Sequence, residues 1–256
     1  EQASAHYHNP DLLANFLDTH DMERITRRCG FDIVRVRNAL AFMFFSRGVP
    51  VVYYGTEHNF GHMDPRAALW STRYATWSPL YLLIKRINRL RHEYLSDSWL
   101  GGRLVVLNES YLVYSRYTTA AFAESASVAL AAGQPAHQQP TAGGELLVFV
   151  NNVPTQNNQE YWRHTRTQYC TSSDSTPILP AVADGYAWVD ALTGWIPPKH
   201  YGPSRSTTGR CIWMPSAHPM VLHVLPIANA TEYAQTILHE NRKNWQAQQR
   251  QQHEKL

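Results

Sequence analysis

The sequence predicts an α/β segment followed by an all-β segment, with a polar tail behind them. Three observations carry this. Residues 14–95 run strand, helix, strand, helix, the rhythm of a parallel sheet with crossover helices. At Gly101-Gly102 the period changes, and the chain breaks into short apolar runs punctuated by Pro, Gly, Ser and Thr. That pattern predicts an antiparallel β-sandwich over 103–226. From about residue 229 the chain is polar and Gln-rich, a solvated helix or no structure at all.

Each element has a local reason. Residues 14–18 read as a short buried strand that ends in charge. Asp32 precedes a helical stripe of Ile33, Val36, Leu40 and Met43. Positions 39–45 are apolar on all sides, so that helix should end fully buried, and Arg47-Gly48 should stop it. Residues 49–54 are β-branched and aromatic, hence a second buried strand. Ser78-Pro79 starts the next helix, Ser as cap and Pro at the first helical position. Leu80, Leu83, Ile84, Ile87, Leu90 and Tyr94 form its apolar face, with Lys85, Arg86, Arg89 and His92 opposite. Beyond Gly102 the strand candidates are 104–107, 111–117, 146–150, 186–189, 211–214 and 221–225. Residues 135–144 read as a flexible insertion. No internal repeat is visible.

The chain has 256 residues with 44% apolar content, enough for one large or two ordinary domains with packed cores. Its net charge of +3 is scattered, without the Lys/Arg blocks that would argue for nucleic acid. The longest apolar run, 39–45, is too short to span a membrane. With 3 Cys, at least one thiol stays unpaired; Cys170 and Cys211, both in the β-rich half, could pair, and a reduced trio is the plainer reading. Sequons at Asn108 and Asn229 would suit a secreted, extracellular protein, though such triplets are common by chance.

The chemistry concentrates in two strings. Phe16-Leu17-Asp18-Thr19-His20-Asp21-Met22-Glu23-Arg24 and Gly48-Val49-Pro50-Val51-Val52-Tyr53-Tyr54-Gly55-Thr56-Glu57 each begin apolar and end in polar groups. Barrel strands look like this when they deliver ionisable residues to a rim. The pair resembles two adjacent motifs of the α-amylase superfamily, glycoside hydrolase family 13, where they lie near the end of a TIM barrel. The stretch from Asp64 to Trp70 resembles the segment that precedes the closing barrel helix of that family, and the helix of Pro79 to Tyr94 resembles that helix itself. The likeness covers roughly 12–95. Residues 189–194, 213–215 and 221–226 weakly resemble the family's C-terminal β-domain.

The resemblance implies residues 1–100 as the last two βα units of a (β/α)8 barrel, 101–228 as the β-sandwich domain and 229–256 as the tail. It implies that Asp21 is the transition-state-stabilising acid and that His20 hydrogen-bonds the sugar at the point of cleavage. Arg24 falls where amylases place a basic residue, which contacts substrate or pairs with a carboxylate. Asp18 and Glu57 are structural residues near the site; for an isolated Asp, helix capping or an ion pair is the ordinary role. Thr19 stands where the family commonly has Asn. The family's nucleophile, an Asp in Gly-x-Arg-x-Asp, and its Glu acid have no counterpart here, and neither do its calcium ligands.

The expectation is therefore the C-terminal part of a longer retaining hydrolase of α-1,4-glucans such as starch or glycogen, monomeric and inactive as this piece alone. A glucan transglycosylase would look the same over these residues. The competing class is an amylase-like protein that has lost catalysis and serves a structural or interaction role. A weaker third reading has the β-domain binding polysaccharide through Trp188, Trp195 or Trp213, against which core packing is the ordinary fate of such rings. A further expectation is that residues 1–100 do not fold alone, because two strands leave open edges and the first helix exposes its apolar end.

Overall fold

The structure, a computed structural model, describes residues 6–61, 66–95, 102–107, 111–117, 145–152, 167–170, 185–197, 211–214 and 218–253. The 135–144 insertion and the sequon at Asn108 lie outside these residues.

The first segment contains β1 (Ala14–Phe16), α1 (Ile25–Arg28), α2 (Ile33–Phe45), β2 (Val49–Val51) and α3 (Pro79–Leu95). β1 and β2 pair in parallel, with Ala14 opposite Val49 and Phe16 opposite Val51. The two strands are three residues each, shorter than the sequence suggested, and they are not buried. Pro50 has no N–H for a ladder, and Asp18 leaves the strand direction to bind the start of α1. Phe16, Val49 and Val51 are exposed on a sheet of only two strands. α1 itself, four residues long, carries no pattern that sequence reading could detect.

α2 starts where Asp32 predicts. Its carboxylate accepts from the N–H groups of Val34 (2.9 Å) and Arg35 (3.4 Å). Leu40, Ala41, Met43, Phe44 and Phe45 are buried at the far end, but Phe42 is 47% exposed, so the end is not covered on every side. The cover comes from α3 and from the second segment: Leu80, Ile87, Leu90, Tyr114, Leu146, Val148 and Val150 share one apolar cluster with α2. Asn38 Oδ1 also accepts from the Asn151 N–H at 2.9 Å. Arg91 of α3 donates to the carbonyls of Phe44 (2.6 Å) and Gly48 (2.8 Å), satisfying groups that the end of α2 leaves open. Burial lowers the pKa of Arg91 to about 10.

The second segment is antiparallel. β3 (Gly102–Leu107), β4 (Tyr111–Tyr117), β5 (Glu145–Asn151), β9 (Met220–Pro226) and β7 (Tyr186–Asp190) lie side by side in that order. β6 (Thr167–Cys170), which the sequence reading missed, pairs with β8 (Cys211–Met214). Cys170 and Cys211 face each other in that register. Alternation along the strands gives the large sheet two apolar faces. One carries Tyr114, Leu146, Val148 and Val221 toward the helices; the other carries Val113, Leu147, Phe149, Trp188 and Leu222.

Asp190 anchors the turn after β7. It is fully buried, and its carboxylate accepts from the N–H groups of Leu192 (3.2 Å) and Val221 (3.1 Å) and from the Thr193 hydroxyl. Gly194 closes the turn at φ +78°, where a Cβ would sit 2.8 Å from the Ala234 carbonyl. The Gln-rich tail is helical, the first of the two forms expected for it, as α4 (Ile227–His253). Ala230, Ala234 and Ile237 hold its first half against the fold, while Leu238 and Trp245 are exposed. Asn229, of the second sequon, is exposed in its first turn. No described helix is long and apolar enough to cross a membrane.

Candidate active site

Parallel pairing of β1 and β2 sends both polar string ends to the same side of the small sheet. The base of the site is Asp18, only 3% exposed. One carboxylate oxygen accepts from the Ile25 N–H (2.5 Å), capping α1; the other accepts from the Thr56 hydroxyl (2.7 Å). A single side chain thus ties the exit of β1 to the exit of β2.

Arg24 completes that base. Its Nη1 lies 3.7 Å from Asp18 Oδ2 and donates to the Tyr54 carbonyl at 2.7 Å. The guanidinium carbon sits 4.3 Å from the Tyr53 ring centroid, 5.2 Å from Tyr54 and 5.6 Å from Phe60. The stacking distances suit cation–π contact. Arg24 is wholly buried, with three aromatic rings around its guanidinium. Its second expected role, pairing with a carboxylate, is the one the geometry displays. Gly55 permits the enclosing turn, since at φ +87° a Cβ would lie 2.3 Å from the Phe60 ring.

His20 and Asp21 stand above this base. Their side chains are 61% and 69% exposed, and His20 Nε2 lies 3.0 Å from Asp21 Oδ2. Arg66 Nη2 reaches Asp21 Oδ1 at 3.2 Å, a partner the sequence reading quoted within its stretch but did not assign. The Asp21 N–H donates to the Thr19 hydroxyl at 3.3 Å. Exposed pairs of this kind are weak, and an incoming ligand can replace them. Glu57 turns aside: His58 Nε2 is 3.8 Å from its carboxylate, and its backbone carbonyl accepts from the Ser78 hydroxyl. Ser78 oxygen in turn accepts from the Tyr81 N–H (3.2 Å), capping α3.

Among the described residues no group of three or more His, Cys, Asp or Glu could hold a metal ion, so the implied calcium finds no fitting donor set there. Trp188 is buried in the sheet core and Trp195 packs against that cluster, leaving neither as an open platform. The side chain of Trp213 lies outside the described residues. Cys29 is a free, half-buried thiol whose pKa burial raises.

No family model matches the chain. It is 39% identical over 85 residues to α-amylase 2 of Schwanniomyces occidentalis, a match covering 32% of this chain and 17% of that protein. It is 38% identical over 104 residues to an α-amylase of Saccharomycopsis fibuligera, covering 39% and 21%. Its fold is similar to that of an α-amylase from Malbranchea cinnamomea, with TM-score 0.57, 20% identity, and coverage of 87% of this chain and 38% of the other. The chain's relatives are thus α-amylases, and the matched stretches span about a fifth of their length.

Proposed function

We propose that this chain is the C-terminal part of an α-amylase-type retaining hydrolase of α-1,4-glucans, secreted and monomeric. Residues 1–100 would be the last two βα units of its barrel, and 101–228 its β-domain with 229–256 appended. The observation that carries the reading is the arrangement at the ends of β1 and β2. The carboxylate of Asp21 stands open to solvent beside His20 and Arg66, above the buried Asp18–Arg24–Thr56 base. The kinship to α-amylases over the matched stretch supports it.

The roles follow from charge. Breaking a glycosidic bond with retention builds positive charge on the sugar ring and takes a nucleophile and an acid about 5 Å apart. Neither the nucleophile nor the acid is supplied by this chain. Asp21 supplies a third, negative group beside the charged ring, whose worth rises when closure of the site excludes water. His20, with Nε2 at 3.0 Å from Asp21, orients that carboxylate and offers its other ring nitrogen to a sugar hydroxyl. Arg66 holds the second carboxylate oxygen until substrate hydroxyls displace it. Asp18 and Arg24 act only as positioning residues, fixing the segment from which His20 and Asp21 project.

Two measurements test this. The pure 256-residue chain should release no maltooligosaccharides from soluble starch, because one stabilising carboxylate cannot provide a covalent two-step route; measurable release overturns the division of labour. In a full-length parent, Asp21→Asn should lower kcat by about a thousandfold or more, as loss of a transition-state charge partner does, with an unchanged unfolding midpoint. Near-parental turnover removes Asp21 from the site.

A further inference from the structure

A groove of about 660 Å³ runs between α3 and α4, floored by Leu83, Leu90 and Ile237. None of His20, Asp21 or Glu57 lines it. Its walls carry Arg37, Lys85, Arg86, Arg89 and Lys243 against one carboxylate, Glu240. Glu240 is already engaged by Arg86 at 2.8 Å, and Arg89 is engaged by Glu93 at 2.9 Å. Arg37, Lys85 and Lys243 therefore have no carboxylate partner among the described residues.

Arg37 is the informative one. Its Nη1 faces His218 Nδ1 at 3.3 Å, and its Nε is buried without an acceptor. Burial holds the pKa of Arg37 below its usual value and lowers that of His218 to about 3, so the histidine is neutral. A sequestered cation whose neighbour is a neutral ring calls for an oxyanion, and the guanidinium fork fits one that accepts two hydrogen bonds. Three unpaired cations suit a group carrying nearly two negative charges better than a carboxylate. Tyr233 and Trp245 add aromatic faces on the same groove, with Trp245 exposed, which suit the apolar face of a sugar ring. The volume is that of a small-ligand site.

We propose that this groove binds a phosphate monoester borne on a sugar, with Arg37 and Lys85 on the phosphate and Trp245 against the ring. The site stands apart from the glucan-cleaving reading, and its test reads binding rather than hydrolysis. The intact chain is titrated calorimetrically at fixed ionic strength with glucose, inorganic phosphate, glucose 6-phosphate and maltotriose carrying a 6-phosphate. Expected is saturable binding of at least one ester, about tenfold or more tighter than inorganic phosphate, with glucose silent. The tighter of the two esters tells a free sugar phosphate from a phosphorylated glucan end. Lys85→Gln, on the exposed lip, should raise the ester Kd about tenfold, and Arg37→Gln at least as much. Trp245→Ala should bring the ester down to the level of inorganic phosphate. Esters no tighter than inorganic phosphate, or an ester Kd unmoved by Lys85→Gln, overturn the proposal even if Arg37→Gln fails to fold.

Discussion

Apolar strand residues meet opposite fates in the two sheets. β1 and β2 contribute Phe16, Val49 and Val51, which lie about half exposed. In β5 and β9, Leu146, Leu147, Val148, Phe149, Val221 and Leu222 are fully buried. The difference is coverage. The five-stranded sheet has α2, α3 and α4 on one face and a continuous second cluster on the other, whereas the parallel pair is two strands joined by a three-residue ladder. Composition sets what can be buried; the number of partners sets what is.

The contrast can be broken most sharply at its phenylalanines. Phe149→Ala, in the sheet core, should cost about 3–5 kcal/mol in urea unfolding, and Phe16→Ala, on the parallel pair, less than about 1 kcal/mol. Equal losses would mean that the parallel pair is covered in solution.

The parallel pair does have one strong fastening, the buried base under the candidate site. Asp18→Ala removes the cap of α1 and strands the Arg24 charge, and should cost about 3 kcal/mol or more by the same assay. A loss under about 1 kcal/mol would mean that Arg24 finds another partner or reaches water.

The junction between the segments should be sensitive to acid. His223, on β9, is buried with Nδ1 2.6 Å from the Tyr94 hydroxyl of α3, and burial lowers its pKa to about 4. The unfolded chain takes up a proton near pH 6.5 that the folded chain refuses until about pH 4. Stability is thus fully present above pH 6.5 and falls as pH drops toward 4, by about 3 kcal/mol for this residue. His218 contributes in an overlapping window. Unfolding midpoints measured from pH 7 to 4 should show the decline, and His223→Gln should reduce its slope by about 1.4 kcal/mol per pH unit. An unchanged slope would show that His223 titrates normally.

A modest change is expected at Ser78, which caps α3 and holds the Glu57 carbonyl. Ser78→Ala should cost about 1 kcal/mol, read as a shift in unfolding midpoint. A null effect would leave the cap to neighbouring groups.

The elements with strong local signals were legible. Asp32 and Ser78 mark the starts of α2 and α3 because a capping side chain acts within its own turn. The strands around 111–117 and 146–150 show in their apolar runs. α1 was invisible because its four residues are held by Asp18, seven positions away. β6 was missed because Thr167–Cys170 carries little periodicity. At the candidate site, His20 and Asp21 stood out as polar residues at a strand end, while Arg66 could be joined to Asp21 only through space, across 45 positions. Arg24 was expected to contact substrate or pair with a carboxylate, and nothing in the string tells that three rings surround it.

Sequence by itself determined the α/β-then-β order, the helix starts and the kinship to α-amylases, because caps, periodicity and motifs are local properties of the chain. Tertiary structure decided which apolar residues are covered, that α2 leans on the antiparallel sheet, and that Arg24 is sealed while Asp21 faces water. Those outcomes depend on which distant surfaces meet, and burial is a property of the meeting rather than of either partner.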